Sequence, residues 1–296
     1  MFRRRFFPAV SGIVMAAGLV STGASWASSY AVSTNSITGF DLNLPLGSTF
    51  QGLTFSGDIA VALGDLTGGD VNIAAQDAAA ACVGAYCAGF NNSFGFHGAS
   101  LYPGYAYGDA LIGNSNVLGG TGTASSIGEA TAFNGIAGAA GANTMIASFT
   151  LGSAGTLSFS FLSDLYMNTQ LGSGGLFAKS DSGMNISIWS GTILTGLTTQ
   201  VFEWKPDGAA GGILNGSETS DPFSLNHNIA GNLTYDPLAD TFSAMTNVLA
   251  GGTYTMKIRM DNSAAVSAVP VPAALPLFGS GLLALMALVR RRRART

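Results

Sequence analysis

The sequence predicts a mostly β protein: an antiparallel, sandwich-like domain set between an N-terminal signal peptide and one C-terminal transmembrane helix. Three observations carry this. Short segments alternate apolar residues with Ser and Thr, the pattern of strands with one buried and one wet face. Glycine-rich turns separate those segments, with 41 glycines in 296 residues. Both ends carry an uncharged apolar run flanked by arginines.

The first element is residues 1–27. Arg3, Arg4 and Arg5 form a basic start, Phe6 to Val20 is apolar, and Ser25-Trp26-Ala27 places small residues before a cut after Ala27. The apolar stretch is too short for a stable span, which favours cleavage over anchoring.

Residues 28–267 form the exported body. Its only basic residues are Lys179, Lys205, Lys257 and Arg259, against sixteen acids, which leaves it at −12. That balance argues against nucleic acid and against anionic lipid, both of which need Lys and Arg. Charged residues are 9% of the chain, so Ser, Thr and Asn supply much of the polar surface.

Within the body, Thr49–Phe55 and Asp58–Leu63 are expected as two strands about Ser56-Gly57. Ile146–Leu151 and Thr156–Leu162 are expected as a hairpin about Gly152-Ser153-Ala154-Gly155. Leu157, Phe159 and Phe161 share one face, as do Met184, Ile186 and Ile188. Thr198–Trp204, Pro222–Ile229 and Thr253–Met260 complete the strand set, the last leading almost directly into the tail. From Val71 to Asn143 the chain is rich in Ala, Gly and Asn. Loops, short strands and a helix over Ala74–Ala81 are expected there.

Cys82 and Cys87 stand close together, and in an oxidising compartment the expectation is a local disulfide. A metal site with His97 is the alternative, but it lacks a fourth ligand.

The last element is residues 268–296. Val269 to Val289 is uncharged and would span roughly 30 Å as a helix. Pro270, Pro272 and Pro276 confine the firm helix to Leu277 onward, and Arg290, Arg291, Arg292 and Arg293 stop transfer on the cytoplasmic side. Val269-Pro270-Val271-Pro272 is held extended, because residues before proline avoid helical geometry. The Gly279-Ser280-Gly281 trio within Leu277-Phe278-Gly279-Ser280-Gly281-Leu282-Leu283 softens the span.

This ensemble of Pro-X-Pro motif, marginal membrane helix and terminal arginines resembles the PEP-CTERM sorting domain. Val271 stands where that family's motif has glutamate. The resemblance covers about the last 28 residues. It implies an exosortase as partner, transient anchoring in the inner membrane, and cleavage near the motif. It also implies an extracellular or cell-surface destination associated with exopolysaccharide and biofilm. The body, on this reading, is structural or adhesive.

No catalytic residue, cofactor or metal site is assigned, and no enzyme activity is expected. His97 and His227 are the only histidines, and no G-x-S-x-G elbow is present. The three glutamates, Glu129, Glu203 and Glu218, offer a weak basis for paired-carboxylate hydrolysis. Asp65, Asp70 and Asn72 share a tight loop that could take calcium, although turn chemistry alone explains it. Phe90, Phe94, Phe96, Tyr102, Tyr105 and Tyr107 could form a sugar-stacking platform, the basis of a carbohydrate-binding alternative. Their spacing fits core packing better. Asn91, Asn185, Asn215 and Asn232 each lead an Asn-x-Ser/Thr triplet.

Overall fold

A computed structural model describes residues 28–65, 72–78, 80–84, 87, 104–132, 135–172, 175–192, 196 and 199–268. The expected signal peptide with its expected cut after Ala27, and every residue of the expected sorting tail after Ala268, lie outside these, as does His97.

The described residues form sixteen strands and no helix. In chain order these are β1 (Ser29–Asn43), β2 (Thr49–Asp65), β3 (Asn72–Ala78), β4 (Ala80–Gly84), β5 (Tyr105–Asn114) and β6 (Gly122–Ala132). Then come β7 (Gly135–Leu151), β8 (Ser158–Gln170), β9 (Gly175–Ser190), β10 (Thr199–Trp204) and β11 (Ile213–Leu214). Last are β12 (Gly216–Ser220), β13 (His227–Ala230), β14 (Leu233–Tyr235), β15 (Asp240–Thr246) and β16 (Gly252–Ala268).

They make two eight-stranded antiparallel sheets packed face to face. The first runs β12-β15-β8-β1-β6-β5-β4 with β14 beside β8; the second runs β11-β10-β9-β16-β7-β2-β3 with β13 beside β9. The last strand in sequence, β16, is central: it pairs along its whole length with β7 and along nearly all of it with β9.

The interior is zoned along the strands. The inward residues of β16 run Tyr254, Met256, Ile258, Met260, then Asn262, then Ala264, Val266 and Ala268. At the wide pole Phe161 stacks on Phe40 and Phe242, with ring centroids 5.8 and 5.3 Å apart, and lies 5.7 Å from Trp204. Each such pair adds about 1 kcal/mol beyond area burial. A buried polar belt follows. Ser33 Oγ donates to Asn262 Oδ1 across the sheets at 2.7 Å, and Asn262 Nδ2 donates to Ser126 Oγ. Ser163 Oγ donates to Asn35 Oδ1 at 2.7 Å in the same zone.

Beyond the belt the sheets close on small residues: Ala31, Ala60, Ala62, Ala106, Ala130, Ala139 and Ala264. A Cβ on Gly128 would sit 2.6 Å from the Ala139 carbonyl oxygen, and one on Gly141 would collide with the Asp109 carbonyl oxygen opposite. Backbone meets backbone there, far closer than the roughly 10 Å of ordinary stacked sheets.

One bulge sets the register of β1. Its pairing shifts between Ile37 and Phe40, around Gly39 at φ 66°. The extra residue lets Ile37 and Phe40 both face the core. The Asp41 Oδ1 beside it accepts the Gly119 and Gly120 amides at 2.8 and 3.0 Å.

The mostly β, antiparallel class is as expected, and Cys82–Cys87 is a disulfide with Cα atoms 5.5 Å apart. Four expectations are corrected. Ser56-Gly57 does not break a strand, because both pair within the continuous β2 against Met145 and Thr144. β7 and β8 are not a hairpin; they lie in different sheets, and Gly152–Leu157 crosses between them. Ala74–Ala81 is not helical: β3 pairs with β2, and β4 with β5. The Ala/Gly-rich region to Asn143 holds long strands, β5, β6 and the first part of β7, besides the expected short ones, β3 and β4. In the Ala/Gly-rich strands, demand for thin residues between close sheets overrides local propensity.

Candidate functional site

The sugar-stacking platform fails at the residues that can be placed. Tyr105 and Tyr107 are fully buried. They lie on the outward face of the first sheet, where Cys82 and Cys87 pack against them together with Tyr30, Val32 and Ile127. The Tyr30 hydroxyl donates to Glu129 Oε1 at 2.8 Å and the Tyr107 hydroxyl to Asp109 Oδ2 at 2.6 Å. All four side chains are buried, so both carboxylates work as acceptors in the framework. Sequence reasoning missed these two pairs, whose members in β1 and β6 are 99 residues apart in one case. Phe90, Phe94, Phe96 and Tyr102 lie outside the described residues, as does Asn91.

Of the calcium loop, only Asp65 at the end of β2 and Asn72 at the start of β3 are described. A different carboxylate cluster forms between β10 and the loop after β12. Asp207, Glu218 and Asp221 each bring an oxygen within 4.8 Å of the others. The local sequence builds it from turns. Asp221 Oδ2 accepts the amides of Asp207 and Gly208, both at 3.0 Å, and Asp207 Oδ1 accepts the Ala209 amide at 3.0 Å. Glu218 Oε1 accepts from the Trp204 indole at 3.1 Å, which ties the cluster to the aromatic core. Burial raises the Asp221 pKa, two backbone amides oppose that, and the neighbouring Glu218 and Asp207 charges add to it. Oxygen ligands on flexible loops are what a hard cation takes. Backbone amides occupy Asp221 Oδ2 and Asp207 Oδ1, while Asp221 Oδ1 is buried without a hydrogen-bond partner.

Glu203, on β10, does not face a second carboxylate; Lys205 Nζ lies 3.0 Å from its Oε1 and Asn185 Nδ2 donates at 2.7 Å. Burial tends to raise its pKa, but those bonds outweigh it and the net shift is downward. His227, on β13, stacks on Tyr235 with ring centroids 4.0 Å apart. Asn185, Asn215 and Asn232 use their amides in hydrogen bonds to Glu203, Val201 and Leu171.

The outward face of the second sheet is a third, larger feature. Alternation along β9 places Lys179, Asp181, Asn185, Ser187 and Trp189 there, beside Ser263, Arg259, Lys257 and Thr255 of β16. Glu203 of β10 lies beside Ser187, and Lys205 joins it by the ion pair. All four basic residues of the body therefore share this one face.

Finally, both ends of the body meet. Ser29 Oγ, opening β1, donates to the Ser267 carbonyl near the end of β16 at 3.4 Å. The strand closes at Ala268, immediately before Val269-Pro270-Val271-Pro272.

No protein-family model, curated protein or solved structure matches this chain.

Proposed function

We propose that this chain is an exported surface or matrix protein handed to an exosortase through its C-terminal tail, with a structural or adhesive body. The observation that carries the reading is the order of the last thirty residues: a strand end, an extended Pro-X-Pro segment, a marginal apolar span and an arginine cluster. Each part has a physical task. The prolines present extended backbone to an enzyme cleft. The short, glycine-softened span anchors without permanence, and Arg290–Arg293 hold the end inside.

The body supports the reading in two ways. β16 is clamped between two neighbours up to Ala268, the residue that immediately precedes the Pro-X-Pro segment in sequence. Ser29 lies at the same pole, so signal-peptide cleavage and tail cleavage act on one end of the sandwich. The remainder stands clear of the bilayer, its longest strands of 17 residues reaching about 55 Å.

The test is the mature C-terminus, read by mass spectrometry in cells with and without the exosortase. A terminus close to Pro270–Pro272 only when the enzyme is present is the expected result. An intact Thr296 terminus in cells that possess the enzyme removes the proposal.

A further inference from the structure

We infer that the outward face of the second sheet binds an extended polysaccharide bearing carboxylate groups, with Trp189 as the stacking platform and Lys257 and Arg259 as the charge contacts. This stands apart from the sorting reading and uses none of the tail.

Charge distribution is the first argument. The body has sixteen acids and four basic residues, and every basic residue lies on this face. Three acids pair with them: Asp181, Glu203 and Asp261. Asp41, Asp109, Glu129, Asp164, Glu218 and Asp240 lie on strands of the first sheet, which carry no lysine or arginine. An anionic polymer finds its cationic partners gathered here, while the strands of the first sheet offer acids alone.

The state of the cations is the second. Among the described residues Lys257 has no ion pair, and it is exposed. Arg259 touches Asp261 at 3.2 Å, but the two side chains are 55% and 45% exposed, so the pair is weak and open to exchange. A guanidinium so placed can take a carboxylate by two parallel hydrogen bonds.

Geometry is the third. Trp189 is opposite Thr255 in register, Ser187 opposite Lys257, and Asn185 opposite Arg259. Outward positions on one strand repeat every two residues, about 7 Å. Indole, ammonium and guanidinium therefore form a row along the strands. The Trp189 indole N–H donates to Ser187 Oγ at 3.3 Å, which lays the ring along its own strand. Hydroxyls flank the row, with Thr150 Oγ1 bonded to Thr253 Oγ1 at 3.2 Å and to Gln51 Nε2 at 2.9 Å. An apolar ring face amid hydroxyls and amides suits a pyranose, and the adjacent cations suit its carboxylate.

The experiment uses the full chain in mild detergent, with polygalacturonate as probe and dextran of similar length as the neutral comparison. The expected result is binding to polygalacturonate that weakens as salt rises, with weaker retention by dextran. Trp189→Ala and Lys257→Gln should each lower affinity by about tenfold or more. Asp164→Lys adds positive charge on the outward face of the other sheet and should leave affinity within about twofold. Thermal melting of each variant confirms that it is folded. Absence of binding, equal binding to dextran, or wild-type affinity in both face variants overturns the inference. So does a gain from Asp164→Lys as large as the loss from Lys257→Gln, since net charge would then explain the binding.

Discussion

Asp221 and Glu203 illustrate how neighbours only a few ångströms apart reverse the sense of a titration. Glu203 is stabilised as a carboxylate by Lys205 and Asn185, so its folded pKa lies below its unfolded one. Its contribution is present above the unfolded value and is lost as pH falls through the folded one. For Asp221, burial beside two other acids raises the folded pKa. The native state then binds more protons than the unfolded state above about pH 4, and stability falls as pH rises there. Replacing Asp221 with Asn keeps an oxygen for the Asp207 and Gly208 amides and offers an N–H to the adjacent carboxylates. Asp221→Asn is expected to gain stability relative to wild type from pH 3.5 to pH 7, measured by urea unfolding at both values. A difference that shrinks over that interval contradicts the assignment. None of this was legible in the sequence. Asp207 and Asp221 are aspartates of turns and Glu218 lies in β12, but their convergence depends on the loop from Lys205 to Asn215 folding back on β12. The aromatic run misled in the opposite way. Tyr105 and Tyr107 alternate with small residues, and alternation says which residues share a face, not what covers that face.

Strands with large inward residues were the readable elements. Alternating Leu, Phe, Met and Ile in β8, β9 and β16 announces the wide pole, because a period of two with bulky residues has few other solutions. The thin pole speaks in Ala and Gly, whose local preference is for helix or turn. Only the partner sheet gives those residues their strand role. Gly141 tests that account. A side chain there meets the carbonyl oxygens of Asp109 and Ile127, backbone atoms that cannot rotate away. Gly141→Val should cost about 3 kcal/mol or more, the upper range for overpacking. Gly138, three residues earlier, faces away from that contact and has ordinary clearance, with its nearest neighbour at 3.5 Å. Gly138→Ala should lie within about 0.5 kcal/mol of wild type, as surface changes usually do. Urea midpoints of the two variants decide the matter, and equal effects would mean that the sheets are not held apart by backbone contact.

At the scale of the whole molecule, the chain order and the sheet order are at odds. β16 is made last and sits between β7 and β9, while β1 is made first and pairs with β6 and β8. Neither sheet can be completed from neighbours in sequence, so the fold has many long-range contacts and should form slowly. Slow folding suits the proposed export of an extended chain. On that proposal the body stays incomplete until Ala268 is across, the point at which Val269-Pro270-Val271-Pro272 would reach the outer side of the bilayer. Completion of the core and presentation of the proposed sorting segment thus fall to one strand. Ending the chain at Leu249 removes that strand and leaves β7 and β9 without the partner that joins them. The fragment is expected to be degraded by added protease within minutes and to show no cooperative unfolding transition. The full chain should resist digestion and melt in a single step. A fragment that melts cooperatively would mean that sheet two closes without its centre, and the coupling of folding to exit would be lost.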